Sequence, residues 1–226
     1  MAAQIADWAA RNARCAASPR EAAQFAATLR HAPHAEKENW LVNSTIHNYA
    51  ALVRLLLADG LSPNTVDIGQ SVLRIAACHG SIDVVRLLLE AGADANSLDD
   101  FGNTPLQAAV GRGRLACARE LIPHTDLRSF NAGGTNVLHN SIIGNHSEIF
   151  KLLLPHFADN IDVRDIKPRA PADPDGPYNC TPLYSACQGG YHAMVKALLA
   201  AGASRTAHSN NSFSCLHLTA QNGHLA

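Results

Sequence analysis

The sequence predicts an all-α fold, a solenoid of stacked helix-turn-helix units with β-hairpin-like turns between them. Three observations carry the prediction. A Thr-Pro-Leu-type segment recurs at a fixed interval: Ser71 precedes Thr104 by 33 residues, and Thr181 precedes Ser214 by 33. Each interval holds two short apolar runs at helical spacing, the second rich in leucine, as at Leu87–Leu89 and Leu198–Leu199. Glycines fall at corresponding places between the runs, at Gly80, Gly113, Gly190 and Gly223. Self-similarity at this period marks units that bury their apolar faces only against neighbours.

Taken in order, Ile5–Ala16 and Pro19–Arg30 read as a helix pair, with Ser18 as N-cap and Pro19 at the first helical position. The pair lacks the repeat signature. Residues 1–38 are therefore expected to form an N-terminal helical cap over the first repeat. Asp7 and Arg11 interrupt any apolar leader, so this stretch is not expected to be a signal peptide. An amphipathic transit peptide is the alternative for this stretch, because Arg11, Arg14, Arg20 and Arg30 face only Asp7 and Glu21. Residues 39–64 copy the pattern of 136–154, including Asn48 and Asn145 where the other units have glycine. Asparagine tolerates the left-handed conformation better than other residues with a side chain, so both segments count as diverged repeats.

The clearest unit runs from Ile68 to Leu98. Ser71–Ala77 starts a first helix that Gly80 ends, Asp83–Leu89 forms a second, and Gly92 stops it. The next unit restarts at Asp99, with Thr104 as N-cap and Pro105 in the first turn, where its missing N–H costs nothing. From Asn136 to Thr181 the spacing stretches to 45 residues. The surplus falls in the proline-rich segment 166–177, expected as an insertion that lengthens one turn and leaves folding unaffected. The last unit is incomplete: Gly223-His-Leu-Ala stops where a second helix should begin. Leu216 and Leu218 would then lie on an uncapped apolar face, and self-association through that face is expected.

These residues resemble the ankyrin-repeat family, whose unit reads G-x-T-P-L-H-x-A-A, a glycine, V-V-x-L-L-L and G-A-D-x-N. Gly69, Gly102 and Gly134 match at the turn; Leu73, Leu106, Leu138, Leu183 and Leu216 match in the first helix. Gly92-Ala93-Asp94 and Gly202-Ala203-Ser204 match the outgoing turn. The likeness covers residues 39–226, about five and a half units, and implies an ankyrin-repeat domain.

Composition and motifs argue against intrinsic chemistry. The net charge is −1, so no basic stripe is available to neutralise phosphates and a nucleic-acid partner is not expected. No apolar run reaches the length of a membrane span. The six cysteines form no C-x-x-C pair and read as reduced thiols of a cytoplasmic protein, the nucleus being the other compartment left open. His139 and His217 occupy the T-P-L-H slot, which the family uses for hydrogen bonds between turns. The other histidines have no ligand spacing, so no metal or other cofactor is expected. Cys78 and Cys187, at the ends of first helices, read as packing residues. Cys78 and His79 stand about 100° apart on a helix and cannot orient one another as a nucleophile and base. No phosphate loop, nucleophile elbow or kinase signature is present, so the chain is read as not an enzyme.

The resemblance implies a concave face lined by turn tips and by residues late in each first helix. Carried over, it gives Asp67, Ile68, Gln70, Cys78 and His79; then Asp100, Phe101, Asn103 and Arg112; then Thr135, Ile143, Tyr178, Cys180 and Gln188; and finally Asn210, Asn211 and Phe213. Phe101, Tyr178 and Phe213 are the aromatic candidates for interface anchors, or else pack on their own turns. The function implied is a non-catalytic scaffold that binds protein partners on this face. The alternative is the regulatory or targeting arm of a larger multidomain enzyme continuing beyond residue 226.

Overall fold

The computed structural model describes the backbone of residues 2–165, 179–206 and 214–221. The fold is all-α, with helices in short consecutive pairs joined by turns. Packing divides it into two compact units: 1–100 with 104–109 and 116–125, and 101–103 with 110–115 and 126–226.

In the first unit, α1 (Ala2–Ala17) and α2 (Pro19–His31) pack on each other and on α4 (Ala50–Ala58). Leu29 is fully buried, and the Phe25 ring lies 6.0 Å from that of Trp40. Ser18 holds the extended backbone of an N-cap, but its side chain makes no cap bond. Next, α3 (His34–Ile46) packs on α4 and on α5 (Val72–His79), while α6 (Ile82–Glu90) packs on α4 and α5. Two layers of first and second helices thus enclose Leu41, Leu52, Leu56, Leu73 and Leu88.

Local chemistry sets the helix boundaries. Ser71 Oγ accepts from Arg74 N at 3.3 Å to start α5, and Gly80 ends it in the left-handed region at φ 82°. Asn48 adopts φ 56°, as its place in a glycine position requires. Its side chain also reaches the next repeat: Nδ2 donates to Asp83 Oδ2 at 2.9 Å, and Oδ1 accepts from Val84 N at 3.2 Å. One asparagine therefore ends its own first helix and caps the start of α6. The pair α7 (Pro105–Gly111) and α8 (Leu115–Leu121) follows. Thr104 and Gln107 form a reciprocal capping box ahead of α7, Gln107 N donating to Thr104 Oγ1 and Thr104 N to Gln107 Oε1.

The second unit repeats the scheme. Within it, α9 (Val137–Ile143) packs on α10 (Ser147–Leu153) and α11 (Pro182–Gln188); α12 (His192–Ala200) packs on α10 and α11. Leu138, Leu153, Phe157, Tyr184 and Leu198 are buried there. Asn136 and Thr181 cap α9 and α11 with their side chains. Asn145 takes φ 54°, matching Asn48, and Asn179 takes φ 60° where the other turns place a glycine.

The last helix, α13 (Cys215–Gln221), packs on α11. Leu218 is only 7% exposed, which corrects its assignment to an open apolar face: the packing of α13 on α11 covers it. The side chain of Leu216 and the whole of the 166–177 insertion lie outside the described residues. Among the described residues no helix is long and apolar enough to cross a membrane.

Candidate functional site

The turn before α5 is a miniature hairpin. Strands β1 (Val66–Asp67) and β2 (Gln70–Ser71) pair antiparallel with Asp67 opposite Gln70, leaving Ile68 and Gly69 as a two-residue loop. Both loop residues have positive φ, 46° at Ile68 and 70° at Gly69. That is the primed turn which matches strand twist and which normally carries Asn-Gly or Asp-Gly. Ile68 is 87% exposed at the tip.

Polar groups of the first unit hold this hairpin to the next turn. Arg74 Nη1 donates to Gln70 Oε1 at 2.6 Å, while Arg74 Nε lies 2.7 Å from Asp99 Oδ2, whose side chain is 2% exposed. Ser71 Oγ and Ser97 Oγ share a hydrogen bond of 2.8 Å. The left-handed φ of 70° favours glycine at Gly69, and the Asp100 carboxylate lies against it, 2.5 Å from where a Cβ would stand. Asp100 and His79 are exposed; Asp67, Gln70 and Cys78 are half-buried. Of the candidates of this unit, Ile68, His79 and Asp100 therefore face solvent, while Gln70 is already engaged by Arg74.

In the second unit, Phe101 is 71% exposed while its carbonyl accepts from Ala132 N at 2.8 Å, fixing the turn that presents the ring. Asn103 Oδ1 accepts from Asn131 Nδ2 at 2.8 Å, tying consecutive turns together. Arg112 and Gln188 are exposed beyond or at the ends of α7 and α11, and Ile143 is 53% exposed at the end of α9.

Two candidates are corrected. Thr135 is buried, its hydroxyl donating to Asn140 Oδ1 at 2.7 Å and lying 3.1 Å from Asn131 Oδ1; it builds the turn rather than presenting a surface. Cys180 is buried as well. Its backbone exchanges hydrogen bonds with Asp165, and its carbonyl accepts from His139 Nε2 at 3.2 Å. His139 is fully buried with Nδ1 on Asn136 Oδ1, so it performs the inter-turn role expected of its slot. Tyr178, Asn210, Asn211 and Phe213 lie outside the described residues.

Val66 and Leu98, each 62% exposed, are surface apolar residues missing from the sequence reading. The signal was present: apolar side chains inside otherwise polar turns, T-V-D-I-G and N-S-L-D-D. Cys187 is buried and hydrogen-bonded to Cys215, which pushes its thiol well above the ordinary range and disfavours the thiolate a nucleophile needs.

The family model described as "Ankyrin repeats (3 copies)" matches residues 14–99 and 73–165, and that described as "Ankyrin repeat" matches 178–210. The chain is 31% identical over 186 residues to the B-cell lymphoma 3 protein homolog of Mus musculus, covering 78% of this chain and 39% of the mouse protein. It is 39% identical over 93 residues to the serine/threonine-protein kinase VIK of Arabidopsis thaliana, covering 39% of this chain and 20% of the kinase. Among solved structures, the ankyrin repeat domain of Bcl-3, described as a unique member of the IkappaB protein family, aligns at TM-score 0.67 and 28% identity. That alignment covers 83% of this chain and 80% of the other. The chain thus spans well under half the length of these two curated relatives.

Proposed function

The chain belongs to the ankyrin-repeat family, and from that premise we propose that it is a non-catalytic scaffold that binds protein partners through its turn tips. That it is a protein-interaction repeat domain follows from the family; the choice of face and the absence of catalysis are our reading. The observation that carries the reading is the contrast between the turns and their tips. Gln70, Arg74, Asp99, Asn103, Asn131 and Thr135 bond one another within each unit, while Ile68 and Phe101 project with most of their surface in water. A fixed backbone presenting apolar tips loses little ordering entropy on association, which favours recognition of a folded or extended polypeptide. The free state of all six cysteines supports a reducing, cytoplasmic setting.

The test is affinity capture from the source cells with the wild-type chain, the variant Ile68→Ser and the variant Phe101→Ser. Partners retained by the wild type and lost by either variant support the reading. A partner set unchanged by both would move the binding face elsewhere. A second reading, a targeting or regulatory arm of a larger enzyme, is favoured by the match to a kinase of which this chain spans 20%. Sequencing the full transcript decides it, a catalytic domain in the same frame being the required result.

A further inference from the structure

Ile68 contradicts its own backbone. A β-branched residue at φ 46° is an outlier even in turns, where asparagine, aspartate and glycine take this conformation readily. Asp67 pairs with Gln70, and the two-residue loop between them is closed with both Ile68 and Gly69 left-handed, at φ 46° and 70°. Nor does packing repay the conformation, since the side chain is 87% exposed. Local strain of this class persists where the side chain serves something other than stability.

The surroundings indicate what Ile68 meets. Val66, two positions away along β1, is also largely exposed, so the hairpin offers two aliphatic side chains. Asp67 lies between them in sequence, and the Asp100 carboxylate rests against Gly69, the other loop residue. No described residue forms an ion pair with Asp67 or Asp100. Arg74 is already held by Asp99 at 2.7 Å and by Gln70 at 2.6 Å. The first unit therefore presents a small aliphatic knob, with the exposed Asp100 carboxylate against its loop and the half-buried Asp67 next to Ile68 in the chain.

We propose that this hairpin is a docking point for a polypeptide segment carrying an apolar residue next to lysine or arginine, with Ile68 as the apolar anchor and Asp67 and Asp100 as the charged clamp. The inference rests on the protein-binding reading and narrows it to one hairpin and one partner chemistry. Contact with Ile68 and Val66 excludes water from the clamp, which strengthens the pairing of a partner cation with the two acids. An acidic or purely apolar segment would meet repulsion or leave both carboxylates desolvated and unpaired.

The decisive property of the site is that its anchor can be removed while the fold gains. Replacing Ile68 with asparagine keeps the turn and relieves the strain. The melting temperature of I68N should rise by about 2 °C or more, the shift that releasing strain of this class gives in a chain of this size. A displayed library of random linear peptides is selected on the full wild-type chain, and recovered peptides are titrated against wild type, I68N and the double variant Asp67→Asn/Asp100→Asn. The expected peptides place an aliphatic or aromatic residue beside lysine or arginine. Their affinity should fall about tenfold or more for I68N and for the double variant, and binding to wild type should weaken with added salt.

Peptides that bind all three proteins equally, or that are acidic, would overturn this site while leaving protein binding intact. Failure to recover any peptide would also overturn this site, while the capture experiment with Ile68→Ser and Phe101→Ser, which samples folded partners, decides protein binding separately. A lowered melting temperature for I68N would remove the strain argument. Weaker binding by that variant would then report damage to the fold and count against the anchor.

Discussion

The pair Arg74–Asp99 offers a sharp test of how consecutive turns hold together. Arg74 Nε sits 2.7 Å from Asp99 Oδ2, with side-chain exposures of 16% and 2%. Replacing Arg74 with alanine removes the cationic partner of a carboxylate almost wholly out of water, which places the cost at about 3–4 kcal/mol, within the range for breaking a buried pair from one side. Replacing Asp99 strands the guanidinium instead. That group keeps some solvent and its bond to Gln70 Oε1 at 2.6 Å, so about 2–3 kcal/mol is expected. The double variant leaves neither charge unpaired and should cost less than the sum by about 1.5–3 kcal/mol, the coupling expected of contacting residues. Urea unfolding of the four proteins, followed by circular dichroism, measures the cycle. Additivity within about 0.5 kcal/mol would mean that the two groups do not interact, and the turn-to-turn link would have to be sought elsewhere.

Other substitutions probe separate parts of the structure. Leu88→Ala, at a fully buried position of α6, should cost about 2–5 kcal/mol in urea unfolding, whereas Arg112→Ala, on an exposed residue, should cost about 0.5 kcal/mol or less. Equal losses would mean that the buried and exposed faces are wrongly assigned. Asn145→Gly should leave stability nearly unchanged, and Asn145→Ala should cost about 1 kcal/mol because of φ 54°; thermal melts separate the two. Arg128 donates to Asp159 and holds its carboxyl below the ordinary aspartate range. The stabilisation is therefore present above the unfolded-state value and fades as pH falls through the depressed one. Arg128→Ala should return Asp159 to the ordinary range in a carboxylate titration by NMR, and an unchanged titration would exclude the pair in solution.

Much of the fold is legible in the sequence because each boundary has its own chemical marker. Gly80 sits at a left-handed helix end as its position requires, and Asn48 and Asn145 keep that conformation where glycine is absent. The cap residues Ser71, Thr104, Asn136 and Thr181 are legible for the same reason: each side-chain oxygen accepts from the first helical turn. The candidate site is less legible. Position relative to the turn marks Thr135 and Cys180 as tip residues, but it cannot reveal that the hydrogen bonds of each are already taken up by its own unit. Asp99 and Asp100 are adjacent acids with opposite fates, one buried on Arg74 and the other exposed, and only the tertiary contact separates them. The conformation of Ile68 is illegible for a stronger reason. Local preference argues against a left-handed isoleucine, yet the loop between Asp67 and Gln70 places Ile68 at φ 46°.

The measurement that bears most directly on recognition through the turns is hydrogen exchange on the chain alone and bound to a partner recovered by affinity capture. Protection gained on binding is expected at the backbone amides of 66–70 and 101–103, with little change in the second helices α6, α10 and α12. Protection confined to those second helices, with the turn amides exchanging as fast as in the free chain, would contradict it.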